Sequence, residues 1–322
     1  CVSCLVGSEM CIRDSSATCS TSEPVQLRAA TRGSALALWQ TRHVAAMLTP
    51  FGVSLDEVVV STTGDRRAEV PIHSMGGKGV FVKEVQAAVL DGRADLAVHS
   101  MKDLPSVTPE GLTLAAVPPR ADPRDALVGC RLSGLSPGAS GATGSIRRRA
   151  QLRALRPDLR FSELRGNIAT RLTKAASFDA IIMAAAALER LGESPEVVDV
   201  LDVDVMVPQV GQGALAIEAR TDEPAVLELL AAIEDTAARR LTDAERAFLL
   251  ELGGDCDLPA GAHATELDGA IRLRSLLAAP DGPTVLRDDR TGVEPVALGT
   301  SAARSLLDRG DIQKVGQRQI VK

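Results

Sequence analysis

FVKEVQAAVLDGRADLAVHSMKDLP, residues 81 to 105, carries a helix, a turn and a strand in one pass. Phe81, Val82, Val85, Ala88 and Val89 fall at i, i+1, i+4, i+7 and i+8, the spacing of a helix with one apolar face. Gly92 supplies its C-terminal stop. ADLAVHS, residues 94 to 100, then reads as a short buried strand. A helix feeding a buried strand predicts an α/β fold. His99, Ser100, Lys102 and Asp103 crowd the exit of that strand before Leu104 and Pro105 close it off. Ligands of α/β sheets sit at the carboxyl ends of strands, so the placement marks a candidate site.

The alternation extends in both directions. QLRAAT (26–31) reads as a strand, residues 35–48 as a helix with Leu36, Trp39, Val44 and Met47 apolar, and DEVVVST (56–62) as a strand before a Gly-rich loop around GGKG (76–79). LTLAAV (112–117) is a further strand, and PPRADPRD (118–125) a crossover into a second α/β unit. There DALVGC begins a strand, GATGS (141–145) is a loop, and SIRRRAQLRAL a helix. RFSEL, NIATRLTKAA, FDAIIMA and AALERLG continue as strand, helix, strand and helix. VPQVGQGALAIEAR (207–220) supplies another strand, and one long helical stretch covers roughly 223–252. LPAGAHATELDGAIRLRSLLAAPDG (258–282) alternates apolar and polar residues about a turn at Asp268-Gly269, which predicts a small β-rich third domain. A helix around SAARSLLDRG closes it.

Composition excludes several functions. With 36 Lys and Arg against 42 Asp and Glu, the net charge of −6 argues against a nucleic-acid binder working by phosphate neutralisation. Polyanion chemistry must then come from local clusters of Arg. Aromatics are 2% with no Tyr, which removes a stacking platform for bases. No run of about 18 apolar residues occurs, so no membrane span is expected. Beyond the first 19 residues only Cys130 and Cys256 remain, which suggests a reducing, cytoplasmic setting without a disulfide framework. Residues 1–26 lack a regular period and fit a signal peptide poorly. They resemble translated sequencing-adapter sequence and are expected to be disordered or artefactual. Cys1, Cys4, Cys11 and Cys19 match zinc-ribbon spacing poorly, so no metal is expected.

Arginine recurs where helices begin. Arg32 precedes Ser34, a good N-cap; Arg147, Arg148 and Arg149 occupy the first turn after Ser145; Arg165 precedes the N-cap Asn167, with Arg171 one turn on. Cations there are unfavourable by about 0.3–1 kcal/mol each. Individually such side chains bend into solvent or pair with acids. Collectively, at successive strand-to-helix turns, they point to a cleft for carboxylates or phosphates. Nucleotide motifs do not fit: in GGKGV, Val80 stands where a P-loop needs Ser or Thr, and GQGALA (211–216) leads into a strand.

Asp103 among these cations is favoured in its ionised form, ready to pair with a positive intermediate or to accept N–H bonds. A plain salt bridge with Lys102 or Arg124 explains it equally well. Cys256, between Asp255 and Asp257 in a Gly-rich turn, is a poor nucleophile because flanking acids disfavour its thiolate. A buried structural thiol or a permanent covalent attachment point remains.

Taken together, ATRGSALALWQ (30–40), GGKGVFVKEVQAAVLDGRADLAVHSMKDLP (76–105), GSIRRRAQL (144–152), LRGNIATRL (164–172), VGQGALAIEAR (210–220) and the GGDC turn resemble the porphobilinogen deaminase (hydroxymethylbilane synthase) family, in order, over about residues 27–290. The resemblance implies an enzyme joining porphobilinogen units head to tail with release of ammonia, to give hydroxymethylbilane for tetrapyrrole synthesis. It implies a dipyrromethane cofactor held by thioether to Cys256, and Asp103 as the catalytic acid that holds pyrrole N–H groups and stabilises the azafulvene cation. Lys102, Arg147, Arg148, Ser145 and Asp103 would contact the cofactor. Arg32, Ser34, Gln40, Lys78, Arg165, Arg171, Arg190 and Asp65 would line the substrate site. Asp255 and Gly144 depart from the family's usual Gly and Ser.

The implied architecture is two periplasmic-binding-protein-like domains of type II around a cleft, plus a small α+β third domain. Domain 1 would comprise 27–118 and 213–232, domain 2 124–207, and domain 3 238–314, with 315–322 a tail. A cytoplasmic monomer with a small-molecule substrate, and neither nucleic acid nor membrane as partner, is expected. The competing reading is a non-catalytic two-lobed protein that binds a small anion.

Overall fold

The structure, a computed structural model, describes residues 24–66, 82–253, 258–279 and 284–309, the side chains of residues 65 and 66 excepted. The first lobe begins with β1 (Val25–Arg32), α1 (Ala35–Leu48), β2 (Val53–Val60) and the short α2 (Thr63–Arg66). It continues with α3 (Lys83–Leu90), β3 (Leu96–Ser100), a helical turn at Met101–Asp103, and β4 (Leu112–Ala116). The apolar face read for α3 is the buried one: Val85, Ala88 and Val89 pack with Ala30, Val60 and Ala97. Phe81 lies outside the described residues. The opposite face of the sheet closes over Leu48, Leu96 and Ile217, each worth about 1.5–3 kcal/mol as a fully buried side chain.

The second lobe holds β5 (Asp125–Val128), β6 (Ser140–Ala142), α4 (Ile146–Leu155), β7 (Arg160–Ser162) and α5 (Ile168–Ala175). β8 (Ala180–Ala184), α6 (Ala185–Leu191) and β9 (Val198–Val200) complete it. The chain then returns through β10 (Leu215–Arg220) and α7 (Pro224–Ala231) to α8 (Thr236–Glu251). β11 (Ala260–Leu267), β12 (Ala270–Ala278), β13 (Val285–Gly292) and α9 (Pro295–Arg309) follow.

Both five-stranded sheets use one plan. The first runs β2-β1-β3-β10-β4, with β1 parallel to β2 and β3 and β10 antiparallel to its neighbours. The second runs β7-β6-β8-β5-β9, with β6 parallel to β7 and β8 and β5 antiparallel to its neighbours. In each, the antiparallel strand is the one delivered by a crossover from the other lobe. This pair of α/β lobes, exchanging one strand each, is the type II periplasmic-binding-protein-like architecture. The third unit is an antiparallel β11-β12-β13 sheet under α8 and α9, with Phe248, Leu273, Leu298 and Leu306 in its core. Among the described residues no helix is long and apolar enough to cross a membrane.

Three local expectations need correction. GATGS is not all loop: Ser140–Ala142 is β6, a three-residue parallel strand between β7 and β8. Its small residues carry no strand periodicity. The single long helix is two, because Asp235 caps α8 through Ala238 N (2.9 Å) while its own N–H donates to Val117 O (2.9 Å). Such a cap competes with helix continuation. The closing helix starts at Pro295, earlier than expected, where proline suits a first turn.

The returning crossover is closely packed on both sides. Arg120 Nε donates to Gln212 O (2.9 Å), Ala121 N to Gly213 O (3.2 Å) and Met101 N to Ala214 O (3.0 Å), so residues 211–214 run between the outgoing crossover and the turn after β3. Gly211 and Gly213 have φ of +70° and +87°, and a Cβ would lie 2.7 Å from Met101 Cγ or 2.4 Å from Ala121 O. Only glycine fits both demands. Beside this passage Glu245 of α8, fully buried, accepts from Arg120 Nη1 (2.6 Å) and Nη2 (3.1 Å), Gly211 N (2.8 Å) and Ala264 N (2.9 Å). One carboxylate thereby ties the third unit to both crossovers.

Candidate active site

Strand exits from both lobes converge near the crossovers. Ser34 caps α1 through Ala37 N (3.3 Å), Ser145 caps α4 through Arg148 N (3.4 Å), and Asn167 caps α5 through Thr170 N (2.9 Å). The helical turn after β3 sets Lys102 and Asp103 beside these starts. Arg32, Ser34, Gln40, His99, Ser100 and Asp103 line one pocket. Gln40 Nε2 donates to Ser100 Oγ (2.7 Å). Behind that wall, His99 Nε2 lies 3.2 Å from Glu218 Oε2, and Gln86 Nε2 donates to both Glu218 oxygens (3.1 and 2.9 Å).

A second group lies across the lobe boundary. Asp125, fully buried at the start of β5, accepts from Arg148 Nε (2.8 Å) and pairs with Arg147 Nη2 (2.8 Å). Arg147 Nη1 donates to Val207 O (2.6 Å), and Arg148 Nη1 to Ile182 O (3.2 Å). Gln212 stands between the lobes. Its Oε1 accepts from Lys102 Nζ (3.4 Å) and Arg148 Nη2 (3.3 Å), while its Nε2 donates to Asp125 Oδ1 (3.0 Å) and Pro123 O (2.7 Å).

Charges in this group perturb one another. Burial pulls the Lys102 ammonium down to about 8 and Arg148 adds to the effect, against Asp103 and Asp125, which favour its charged form. Lys102 as a residue is half-buried. Burial likewise lowers Arg171 to about 10, reinforced by Arg148 and Arg165 and opposed by Asp103. For Asp125, burial would raise the carboxyl, but Arg147 and Arg148 outweigh it and hold it below its usual range. Arg147 Nε is buried without a hydrogen-bond acceptor among the described residues.

The structure therefore brings Lys102, Asp103, Arg148 and Arg171 together, and Arg32, Ser34 and Gln40 onto the same side of Asp103. Arg165 joins them through Arg171. The anion expected at the α4 start is supplied in part by the protein, since Asp125 takes both Arg147 and Arg148. Arg190 is committed elsewhere: Nη2 donates to Gly213 O (2.7 Å), and the guanidinium lies 5.7 Å over the Trp39 ring, bracing α6 against α1. Arg124, offered as an alternative partner for Asp103, pairs instead with Asp122 (2.7 Å). Lys78 and Cys256, and the Asp65 side chain, lie outside the described residues. Leu249 and Leu258, on either side of the Cys256 turn, line a pocket with Ser145 and Arg147.

Asp125, Gln209 and Gln212 are the residues that sequence reasoning missed. An acid opening an otherwise apolar buried strand, DALV, was the available signal for Asp125. Two glutamines in a crossover whose glycines are explained by packing alone were the signal for the others.

Fold and cluster together define a two-lobed periplasmic-binding-protein-like protein with cations gathered at the lobe boundary and an appended antiparallel domain. Residues 27–228 match the family model "Porphobilinogen deaminase, dipyromethane cofactor binding domain", and residues 240–308 match "Porphobilinogen deaminase, C-terminal domain". A porphobilinogen deaminase of Acidithiobacillus ferrooxidans is 44% identical over 294 residues, covering 89% of this chain and 96% of that one. Proteins of the same name from Roseiflexus sp. and Geobacillus kaustophilus are 48% and 46% identical, covering 87% of this chain and 95% and 93% of theirs. The chain belongs to the porphobilinogen deaminase family.

The residues present fit the cofactor named by that family model. A dipyrromethane bears carboxylate arms, and the buried Arg147 Nε together with the depressed Lys102 and Arg171 calls for additional negative charge.

Proposed function

We propose that this chain joins porphobilinogen units head to tail with release of ammonia, forming hydroxymethylbilane. The observation that carries the reading is one carboxylate, Asp103, set between the Arg32 pocket and the Lys102–Arg148–Arg171 cluster in a chain of this family.

Each porphobilinogen brings an acetate and a propionate. Lys102, Arg148 and Arg171 meet those arms as point charges and guanidinium forks. Arg32, with Ser34 and Gln40, does so from the first lobe. Head-to-tail joining exchanges a C–N bond for a C–C bond, so positive charge builds on the pyrrole methylene as ammonia leaves. Asp103 is the carboxylate within the ring of cations, and it offsets that charge and accepts the pyrrole N–H. A dipyrromethane held by thioether at Cys256 would supply a pyrrole carbon as the acceptor for the first unit. Ser145, Lys102, Arg147 and Arg148 would hold its carboxylates.

The units assigned to these roles are 27–118 with 213–232, 124–207, and 238–314. Family membership stands against a purely binding role. A reducing, cytoplasmic compartment accords with two isolated cysteines in the body of the chain.

Intact mass and turnover test the reading. The purified chain should exceed its polypeptide mass by two linked pyrrole units, and Cys256→Ser should abolish the excess. Asp103→Asn should retain the excess and lose turnover by roughly 10²-fold or more. Near-normal turnover of Asp103→Asn refutes the catalytic role.

A further inference from the structure

We propose that Gln212 is the positioning residue of the lobe boundary: its single carbonyl oxygen holds the Lys102 ammonium and the Arg148 guanidinium side by side, so that cations from opposite lobes present one joint surface to a carboxylate. The inference rests on the site described under Proposed function and adds a residue to it.

The geometry leaves the carboxamide one orientation. Oε1 faces two donors, Lys102 Nζ (3.4 Å) and Arg148 Nη2 (3.3 Å), and Nε2 faces two acceptors, Asp125 Oδ1 (3.0 Å) and Pro123 O (2.7 Å). Flipping the amide would set its N–H groups against both cations and its oxygen against both acceptors. The backbone is as constrained as the side chain. Gln212 is fully buried, Gly211 N is bound to Glu245, and Gly213 O accepts from Arg190 Nη2. Gln209 Nε2 adds a bond to Lys102 O (3.2 Å), so the same crossover grips Lys102 at both its backbone and its ammonium.

The choice of an amide has a physical reason. A glutamate at 212 would cancel positive charge that a carboxylate ligand needs, and would put a second acid about 3 Å from Asp125, where like charges repel strongly. An apolar side chain would leave Asp125 one donor short and the two cations unscreened. Glutamine supplies an acceptor to the cations and a donor to the acid without altering the charge of the cleft. The titratable and charged groups facing Lys102 are Asp103 on its own turn, Arg148 on α4, Arg171 on α5 and Asp125 on β5. Gln212 is the neutral group among them.

The test reads Lys102 directly. Lys102 is one of six lysines in the chain. Its 13Cε resonance in 13C-lysine-labelled full-length protein, assigned by its loss in Lys102→Arg, should titrate with a midpoint of about 8. Gln212→Glu should raise that midpoint by roughly one pH unit or more, through an opposite charge at hydrogen-bond distance. Gln212→Met, which removes the acceptor, should lower it. For porphobilinogen, Gln212→Met should raise KM several-fold more than it lowers kcat. A Lys102 midpoint unmoved in whichever variant is folded by circular dichroism overturns the proposal, and either variant suffices. Expected Lys102 shifts in a chain that does not turn over porphobilinogen would remove the functional reading and leave the positioning role. Normal turnover with an unmoved midpoint would do the reverse.

Discussion

Glu245→Gln is the substitution whose effect follows most directly from the structure. Glu245 Oε1 accepts from Arg120 Nη1 and Ala264 N, and Oε2 from Arg120 Nη2 and Gly211 N. An amide has one oxygen, so whichever way the substituted side chain turns, its N–H2 faces two donors. Two charge-assisted bonds are lost, at about 1.5–3 kcal/mol each. Arg120 also keeps a largely buried guanidinium without its counter-ion. The first route gives about 3–6 kcal/mol, which overlaps the usual cost of about 3–5 kcal/mol for removing one partner from a buried ion pair. At roughly 2–4 °C per kcal/mol for a domain of a few hundred residues, the melting midpoint falls by roughly 10 °C. Thermal and urea unfolding followed by far-UV circular dichroism measure it. Because Glu245 joins the third unit to both crossovers, the variant should also separate into two transitions. The Arg120→Met/Glu245→Met pair should cost less than either single change, since it leaves no uncompensated charge. A single-variant cost below about 1 kcal/mol, or a double-variant cost equal to the sum, would refute the role of this pair.

Further outcomes follow from named contacts and charges. Gly213→Ala should destabilise far more than Gly52→Ala: both positions have positive φ, but a Cβ at 213 meets Ala121 O at 2.4 Å while one at 52 meets nothing within 4 Å. Comparison of the two melting midpoints, with about 1–2 kcal/mol expected for the strain common to both, isolates the clash. KM for porphobilinogen should rise as pH increases through about 8, where Lys102 loses its charge. Because its folded value lies below its usual 10.5, the unfolded chain holds the extra proton between about 8 and 10.5, so this group's contribution to stability increases with pH across that window. Asp125→Asn leaves Arg147 and Arg148 without their carboxylate and should cost about 3–5 kcal/mol in urea unfolding. Asp91→Asn, which breaks the exposed pair with Arg93, should leave the midpoint in place.

The parts of the fold legible in the sequence are those whose chemistry is local. The α3 face from Val82 to Val89 shows itself by helical spacing, and Ser34 and Asn167 cap the helices that follow them. The breaks are local too, but subtler. Asp235 stops a helix that periodicity alone would continue, and Ser140–Ala142 pairs as a strand with residues too small to show a pattern. Interactions between distant segments were not legible. Arg147 and Arg148 announce a need for an anion, but nothing near them names Asp125, which lies 23 positions before Arg148 at the start of β5. Gln212 contacts residues 64 to 110 positions away, and only the return of the chain through β10 puts it there. The glycines around it read as a weak nucleotide motif because sequence shows that Cβ is absent and not what would strike it.

The charge at the lobe boundary links stability to function. Burial acts against Lys102, Arg171 and Arg147 alike, and among the described residues the fully buried Asp125 answers Lys102 and Arg147. Such a cluster is costly on its own, and a core of apolar residues would be more stable. A ligand carrying several carboxylates relieves that cost only when both lobes contribute, because Lys102 comes from the first lobe and Arg148 and Arg171 from the second. Binding should therefore stabilise the fold by mass action and draw the lobes onto the ligand. Arg190 against Gly213 O and Glu245 against Arg120 hold the crossovers while it does so. A pocket with its own full set of acids would be a better-folded protein and a poorer receptor for polycarboxylates.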